Sequence, residues 1–203
     1  MKDGFHMSIR SATARDAADL AILIDIAGEG IPSWLWTTSA TDGQSPLDIG
    51  MARACRTDGG FSYANALVAE RDGDVIGMGL SYAIDAPPTV DPNDLPAPIT
   101  PFVALEAQSV GTWYVNALAV RACARGGGIG TALLSAVEET ARGAGYDRLS
   151  IQVYEQNTGA VRLYRRAGFA LAARAPVRLH PCQPYYTGDV LLLIKPVDRN
   201  RAV

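Results

Sequence analysis

The stretch from Thr112 to Glu155 constrains the fold more than any other part of the chain. "TWYVNALAV" is apolar almost throughout, as a strand buried on both faces would be. A glycine-rich loop, "ARGGGIG", comes next. From Gly130 to Gly143 the residues Leu133, Leu134, Val137 and Ala141 then share one helical face. Gly143 and Gly145 stop that helix, and "RLSIQVYE" reads as another strand. A strand, a crossover helix and a second strand imply parallel pairing in part of a sheet.

The flanking sequence supplies the rest of the sheet. "MSIRSAT" reads as a short strand. Thr13 reads as an N-cap with Asp16 three residues on, and Ala17, Leu20, Ile24 and Ala27 then predict a helix over Ala14 to Ala27. Gly28 and Gly30 end it. "SWLWTTSA" has no clear period, and "PLDIGMARACRT" reads as a helix. "YANALVAER" and "VIGMGLSYAI" are strand candidates joined by "DGD", a hairpin signal. Residues 85–101 hold six prolines and read as a surface excursion, with a short helix "FVALEAQS" leading back in. "TGAVRLYRRAG" reads as a helix, and "FALAARAPVRL" and "DVLLLIKPV" as the last two strands. The expected fold class is α/β (α+β), a mixed and mostly antiparallel sheet of about seven strands with helices on both faces. One domain over residues 1–203 is expected, with residues 1–7 as an extension.

Bulk composition narrows the function. The chain is 48% hydrophobic and 19% charged, ordinary for a globular protein with a real core. Its net charge is -3 without acidic or basic blocks, so no nucleic-acid partner is expected. Cys55, Cys123 and Cys182 are odd in number and far apart, which predicts no disulfide framework, no metal site and a cytoplasmic location. No apolar run is long enough to span a bilayer, so no membrane partner is expected.

A glycine loop opening a helix is suited to an anion. A Walker A loop requires Gly-Lys-Ser/Thr at its end, and no lysine is present. A Rossmann fingerprint requires a third small residue where Leu133 stands, and an acidic residue where the chain reads "RLSIQV". A third pattern fits: Arg125-x-x-Gly128-x-Gly130 after a buried strand. "NALAVRACARGGGIGTALLSAVE" closely resembles the pyrophosphate loop of the GNAT superfamily of acyl-CoA-dependent N-acyltransferases. "IQVYEQNTGAVRLYRRAGF" resembles that superfamily's next strand and helix, with Asn157, Ala160, Tyr164 and Gly168-Phe169 in place. "IRSATARDAADLAILI" resembles its first strand and helix.

The resemblance implies acetyl transfer from acetyl-CoA to a primary amine by direct attack in a ternary complex. It assigns the pyrophosphate to backbone N–H groups of Gly126, Gly127, Gly128, Ile129, Gly130 and Thr131, with Arg125 adding positive charge. It lays the pantetheine arm along the backbone of Leu118, Ala119 and Val120, with Asn157 and Ala160 at its side. Tyr164 becomes the general acid, and Arg162 or Arg165 reaches the 3′-phosphate. The base is less determined. Asn116 stands where many relatives carry a glutamate and cannot accept a proton. Asn116 as a water-positioning group or Glu106 as the base are the candidates, with Glu29, Asp85, His6 and His180 weaker. Trp34, Trp36, Trp113 and Tyr82 are candidates for an acceptor wall. The acceptor is a small-molecule amine or a protein amine, and a homodimer is possible within the family. The alternative reading is a non-catalytic acyl-CoA sensor on the same fold.

Overall fold

The computed structural model describes residues 7–91, 94–179, 185 and 187–198. Seven strands form one sheet in the order β1-β2-β3-β4-β5-β7-β6. The chain also divides into two compact units, Met1–Ser81 with Ala117–Val137, and Tyr82–Asn116 with Glu138–Val203. Two strands, β3 (Asp74–Ile84) and β4 (Thr112–Val120), contribute residues to both.

In the first unit, β1 (Met7–Ser11) pairs antiparallel with β2 (Ala66–Arg71), and β2 with β3. The helix expected from Ala14 begins as a 3-10 turn, Ala14–Asp16, and becomes α1 at Ala17–Ala27. Asp16 is responsible for the change of pitch. Its carboxylate accepts from the Thr13 N–H at 2.7 Å and holds the Arg10 guanidinium at 2.9 Å. Leu20, Leu23, Met78 and Leu80 are fully buried, each contributing roughly 2 kcal/mol on folding.

"SWLWTTSA" proves to lie in α2, Ile31–Ser39. Pro32 sits in its first turn, where a missing N–H is harmless. Trp36 is buried and stacks on Phe61, ring centroids 6.1 Å apart. Helix α3, Pro46–Ala54, opens with a Ser45–Asp48 capping box. Gly50 faces the Trp36 ring so closely that a Cβ there would lie 2.6 Å from it. Trp36 is therefore core and is removed from the acceptor wall.

In the second unit, β4 pairs parallel with β5 (Arg148–Tyr154) at Trp113↔Leu149, Tyr114↔Ser150 and Val115↔Ile151. The crossover inferred from the sequence is therefore present, through α5 at Ile129–Gly143. Along its other edge β5 pairs antiparallel over its full length with β7 (Asp189–Pro196), which pairs with β6 (Ala170–Pro176). Helix α6, Thr158–Arg166, is capped by Asn157, whose Oδ1 accepts from the Ala160 N–H at 3.1 Å. The proline-rich excursion ends in a 3-10 turn, Ala97–Ile99, and α4, Thr100–Glu106, with Pro101 in the first turn. Among the described residues no helix is long and apolar enough to cross a membrane.

Candidate active site

The glycine loop belongs to the first unit. A 3-10 turn, Ala122–Ala124, leaves β4, and α5 starts at Ile129. Gly126 and Gly128 take left-handed backbone angles, φ 81° and 80°, which side chains with a Cβ rarely adopt. A Cβ on either would meet no atom within 4 Å. Their glycine requirement is therefore conformational. Gly127 has neither a left-handed φ nor a crowded Cβ position, its nearest neighbour being the Ala124 carbonyl at 3.8 Å. Nothing internal explains a glycine there. The first N–H groups of α5 have no partners within the helix, so this exposed loop presents donors at a positive helix end.

The loop is rigidly backed. Ile129 and Leu133 are buried against Ala69, Ile76 and Ala124. Thr131 is exposed beside the loop. Arg125 turns its Nε back to the Val120 carbonyl at 3.1 Å, so it fixes the loop to the strand end while remaining exposed. Ala119 is buried, and Leu118 and Val120 are half-buried, as expected of residues whose backbone alone was assigned a role.

The second unit gathers the residues proposed for chemistry on one face of its strands. Parallel partners share a face and side chains alternate along a strand. The Tyr114↔Ser150 pair therefore places Thr112, Tyr114 and Asn116 of β4 on the face carrying Ser150, Gln152 and Tyr154 of β5. The contacts agree. Thr112 Oγ1 and Ser150 Oγ, both buried, lie 2.6 Å apart. Thr112 donates to the Ser109 carbonyl at 2.7 Å, so within the pair Ser150 is left to donate. Gln152 Nε2 donates to the Phe102 carbonyl at 3.0 Å, and the Phe102 ring meets Tyr154 edge-on at 5.4 Å. Helix α4 and the turn after it are thus tied to this face at both ends. Phe102 and Glu106 stand four apart on α4 and share a side of it.

Glu106 is half-buried, and burial raises its pKa above the ordinary carboxylate value. Among the described residues it forms no ion pair. Asn116 is exposed and its Nδ2 donates to Tyr82 Oη at 3.2 Å. Tyr82 packs edge-on against Tyr114, centroids 5.8 Å apart. Tyr82 is held protonated by burial first and by the Glu106 charge second. Tyr114 is raised by burial, then by Tyr82 and Glu106, and lies within electrostatic reach of Tyr164. Tyr164 is buried against Phe169, centroids 5.9 Å apart, and burial alone raises its pKa. Tyr82, Asn116 and Tyr114 are therefore in contact on this face, within electrostatic reach of the Glu106 carboxylate.

The other candidates fall elsewhere. Trp113 lies on the opposite face of β4 from Tyr114 and packs on Tyr146, centroids 5.4 Å apart. It therefore does not share a wall with Tyr82. Asp85 accepts from the Tyr146 hydroxyl at 2.6 Å, Glu29 occupies a left-handed turn, φ 54°, in the first unit, and Trp34 is half-buried in α2. Arg162 and Arg165 are exposed on α6. His6 and His180 lie outside the described residues. Tyr114 was missed by the sequence reading, although its place two residues before Asn116 on a strand puts it on the same face.

A glycine loop between strand and helix on a seven-stranded mixed sheet defines the class as an acyl-CoA N-acyltransferase fold. The model for the acetyltransferase (GNAT) family matches residues 30–169, and the chain belongs to that family. Solved structures share the fold. An acetyltransferase is 23% identical, with 94% of this chain and 100% of that one covered, at a TM-score of 0.64. An N-acetyltransferase from Staphylococcus aureus Mu50 is 20% identical over 92% and 99%, at 0.62. The putative acetyltransferase yncA from Salmonella typhimurium, solved with its cofactor acetyl-CoA, is 21% identical over 98% of both chains, at 0.60. No curated protein sequence matches the chain.

Proposed function

We propose that this protein transfers an acetyl group from acetyl-CoA to a primary amine by direct attack, with both substrates bound. The observation that carries the reading is the group of Tyr82, Tyr114 and Asn116 on one face of the second unit's strands, beside a Glu106 carboxylate that forms no ion pair among the described residues. Glu106 is the base. As the amine nitrogen bonds to the acyl carbon, its acidity rises and Glu106 takes the proton, directly or through a water held by Asn116 and Tyr82. The raised pKa of Glu106 makes it a stronger base than an exposed carboxylate.

Tyr164 donates to the sulfur as the carbon–sulfur bond breaks. An ordinary thiol has a pKa of about 8.5, below that of a phenol. A tyrosine raised further by burial therefore holds its proton in the resting enzyme and shares it only as thiolate charge develops. Acetyl-CoA supplies the activated acyl group. The N–H groups from Gly126 to Thr131, with Arg125 nearby, would hold its pyrophosphate, the Leu118–Val120 backbone its pantetheine arm, and an N–H of that strand the developing oxyanion. Open space over Gly126 and Gly128 suits a ligand approaching the backbone. A reducing cytoplasm suits the exposed thiols of Cys55 and Cys123.

The test is free-thiol release from acetyl-CoA across a panel of amines, comparing the wild type with Tyr164→Phe. Amine-dependent release that falls about 100-fold in the variant, with CoA affinity retained, is the expected result. CoA binding without release from any amine would overturn turnover and leave a sensor.

A further inference from the structure

The face that carries Glu106 also says what kind of amine it suits, granted the acetyltransferase reading above. Two half-buried rings, Tyr82 and Phe102, stand on the side of α4 and of the sheet that bears Glu106. Each packs against a buried ring at an edge-on angle, Tyr82 on Tyr114 at 76° and Phe102 on Tyr154 at 83°. Braced rings cannot swing away when a ligand arrives, so they are fixed contact surfaces with little ordering cost. Phe102 is fixed twice over, because Gln152 holds its own carbonyl at 3.0 Å. Only the amide NH₂ of Gln152 can donate to a carbonyl, so the orientation of that amide is settled.

We infer that the acceptor is a primary amine on an aromatic or apolar body that carries no α-carboxylate, an arylalkylamine and not an amino acid. An incoming ammonium meets a carboxylate with no competing ion pair among the described residues, and aromatic faces attract the same charge. A carboxylate one carbon from the reacting nitrogen would be brought close to Glu106 and repelled by it. The phenols of Tyr82 and Tyr114 offer no positive charge to offset that repulsion.

The experiment measures thiol release with matched pairs at saturating acetyl-CoA, phenethylamine against phenylalanine and tyramine against tyrosine, with CoA affinity taken separately by calorimetry. The expected kcat/KM for each amine exceeds that of its α-carboxylated partner about tenfold or more. Phe102→Leu keeps the apolar volume and the backbone carbonyl but removes the ring. It should raise KM for phenethylamine several-fold with kcat and CoA affinity unchanged. Equal or better use of the amino acids, or an unchanged KM in Phe102→Leu, would overturn the inference. So would CoA binding with no turnover of either amine, whereas loss of CoA binding altogether would overturn the acetyltransferase reading beneath it.

Discussion

Replacing Glu106 by glutamine separates catalysis from stability at one position. The carboxylate is half-buried without an ion pair among the described residues, and its raised pKa records a folded state that disfavours the charge. A raised carboxyl pKa means that the folded protein binds the proton more tightly than the unfolded chain. The charge therefore weakens folding above the raised pKa, and this penalty disappears below the ordinary carboxyl pKa. Glu106→Gln removes the charge at constant shape, so Tm at pH 8 should stay level or rise. Catalysis should move the other way. A general base contributes about 10²–10⁴ in rate, and the lower end is expected because Tyr82 and Asn116 would still be in place to position a water. The ratio of wild-type to variant kcat/KM is the decisive quantity, because ionisation of the free amine cancels in it. At pH 8 the ratio should be about 100. It should then fall about tenfold per pH unit below the Glu106 pKa, as the wild type loses its base and the variant has none to lose. Thiol release followed from pH 5 to 9, with thermal unfolding at each pH, supplies both readouts. A ratio below about three at pH 8, or one that does not change with pH, would refute Glu106 as the base.

Other predictions follow from the loop and the helix ends. Gly128→Val imposes a β-branched residue on φ 80°, a strain of about 1–3 kcal/mol, and should weaken CoA binding about tenfold or more by calorimetry. Gly127→Ala meets neither strain nor a clash, so Tm should hold while CoA affinity falls; retained affinity would mean that the ligand does not lie against that residue. Asp16 is held at about 2, first by the Arg10 guanidinium against the opposing cost of burial, with Thr13 adding hydrogen bonds. Its folded pKa lies below the unfolded one, so this stabilisation is present above pH of about 4 and is lost as pH falls through about 2. Asp16→Asn should accordingly lose about 1–2 kcal/mol in urea unfolding at pH 7, discounted because Arg10 is partly exposed, with the deficit vanishing in acid.

The parallel crossover and the anion loop were legible because both are local. Helical spacing of Leu133, Leu134, Val137 and Ala141 and the glycines ahead of them state the geometry within twenty residues. Helix α2 was not legible, because what stabilises it is remote in sequence: Trp36 packs into the gap left by Gly50 and stacks on Phe61. The sequence leaves the choice between Asn116 and Glu106 open for the same reason. Only the bonds from Gln152 to the Phe102 carbonyl, and from Thr112 to the Ser109 carbonyl, bring α4 onto the face of β4 and β5. Tyr114 was hidden by its apolar surroundings, since a buried tyrosine in a hydrophobic strand reads as core until its neighbours are known.

The glycines of β3 carry a different consequence. A Cβ at Gly77 would lie 3.0 Å from both the Ala119 carbonyl and the Leu133 side chain, and one at Gly79 would lie 3.1 Å from Val137. Helix α5 therefore rests on bare backbone, and its height above the strand is a dimension set by two missing methyl groups. A single added carbon would act there as a shim under the helix that follows the glycine loop. On the proposed reading, Gly77 and Gly79 would be adjusting points through which donor affinity could be tuned by selection or by design without altering any residue that would touch the donor.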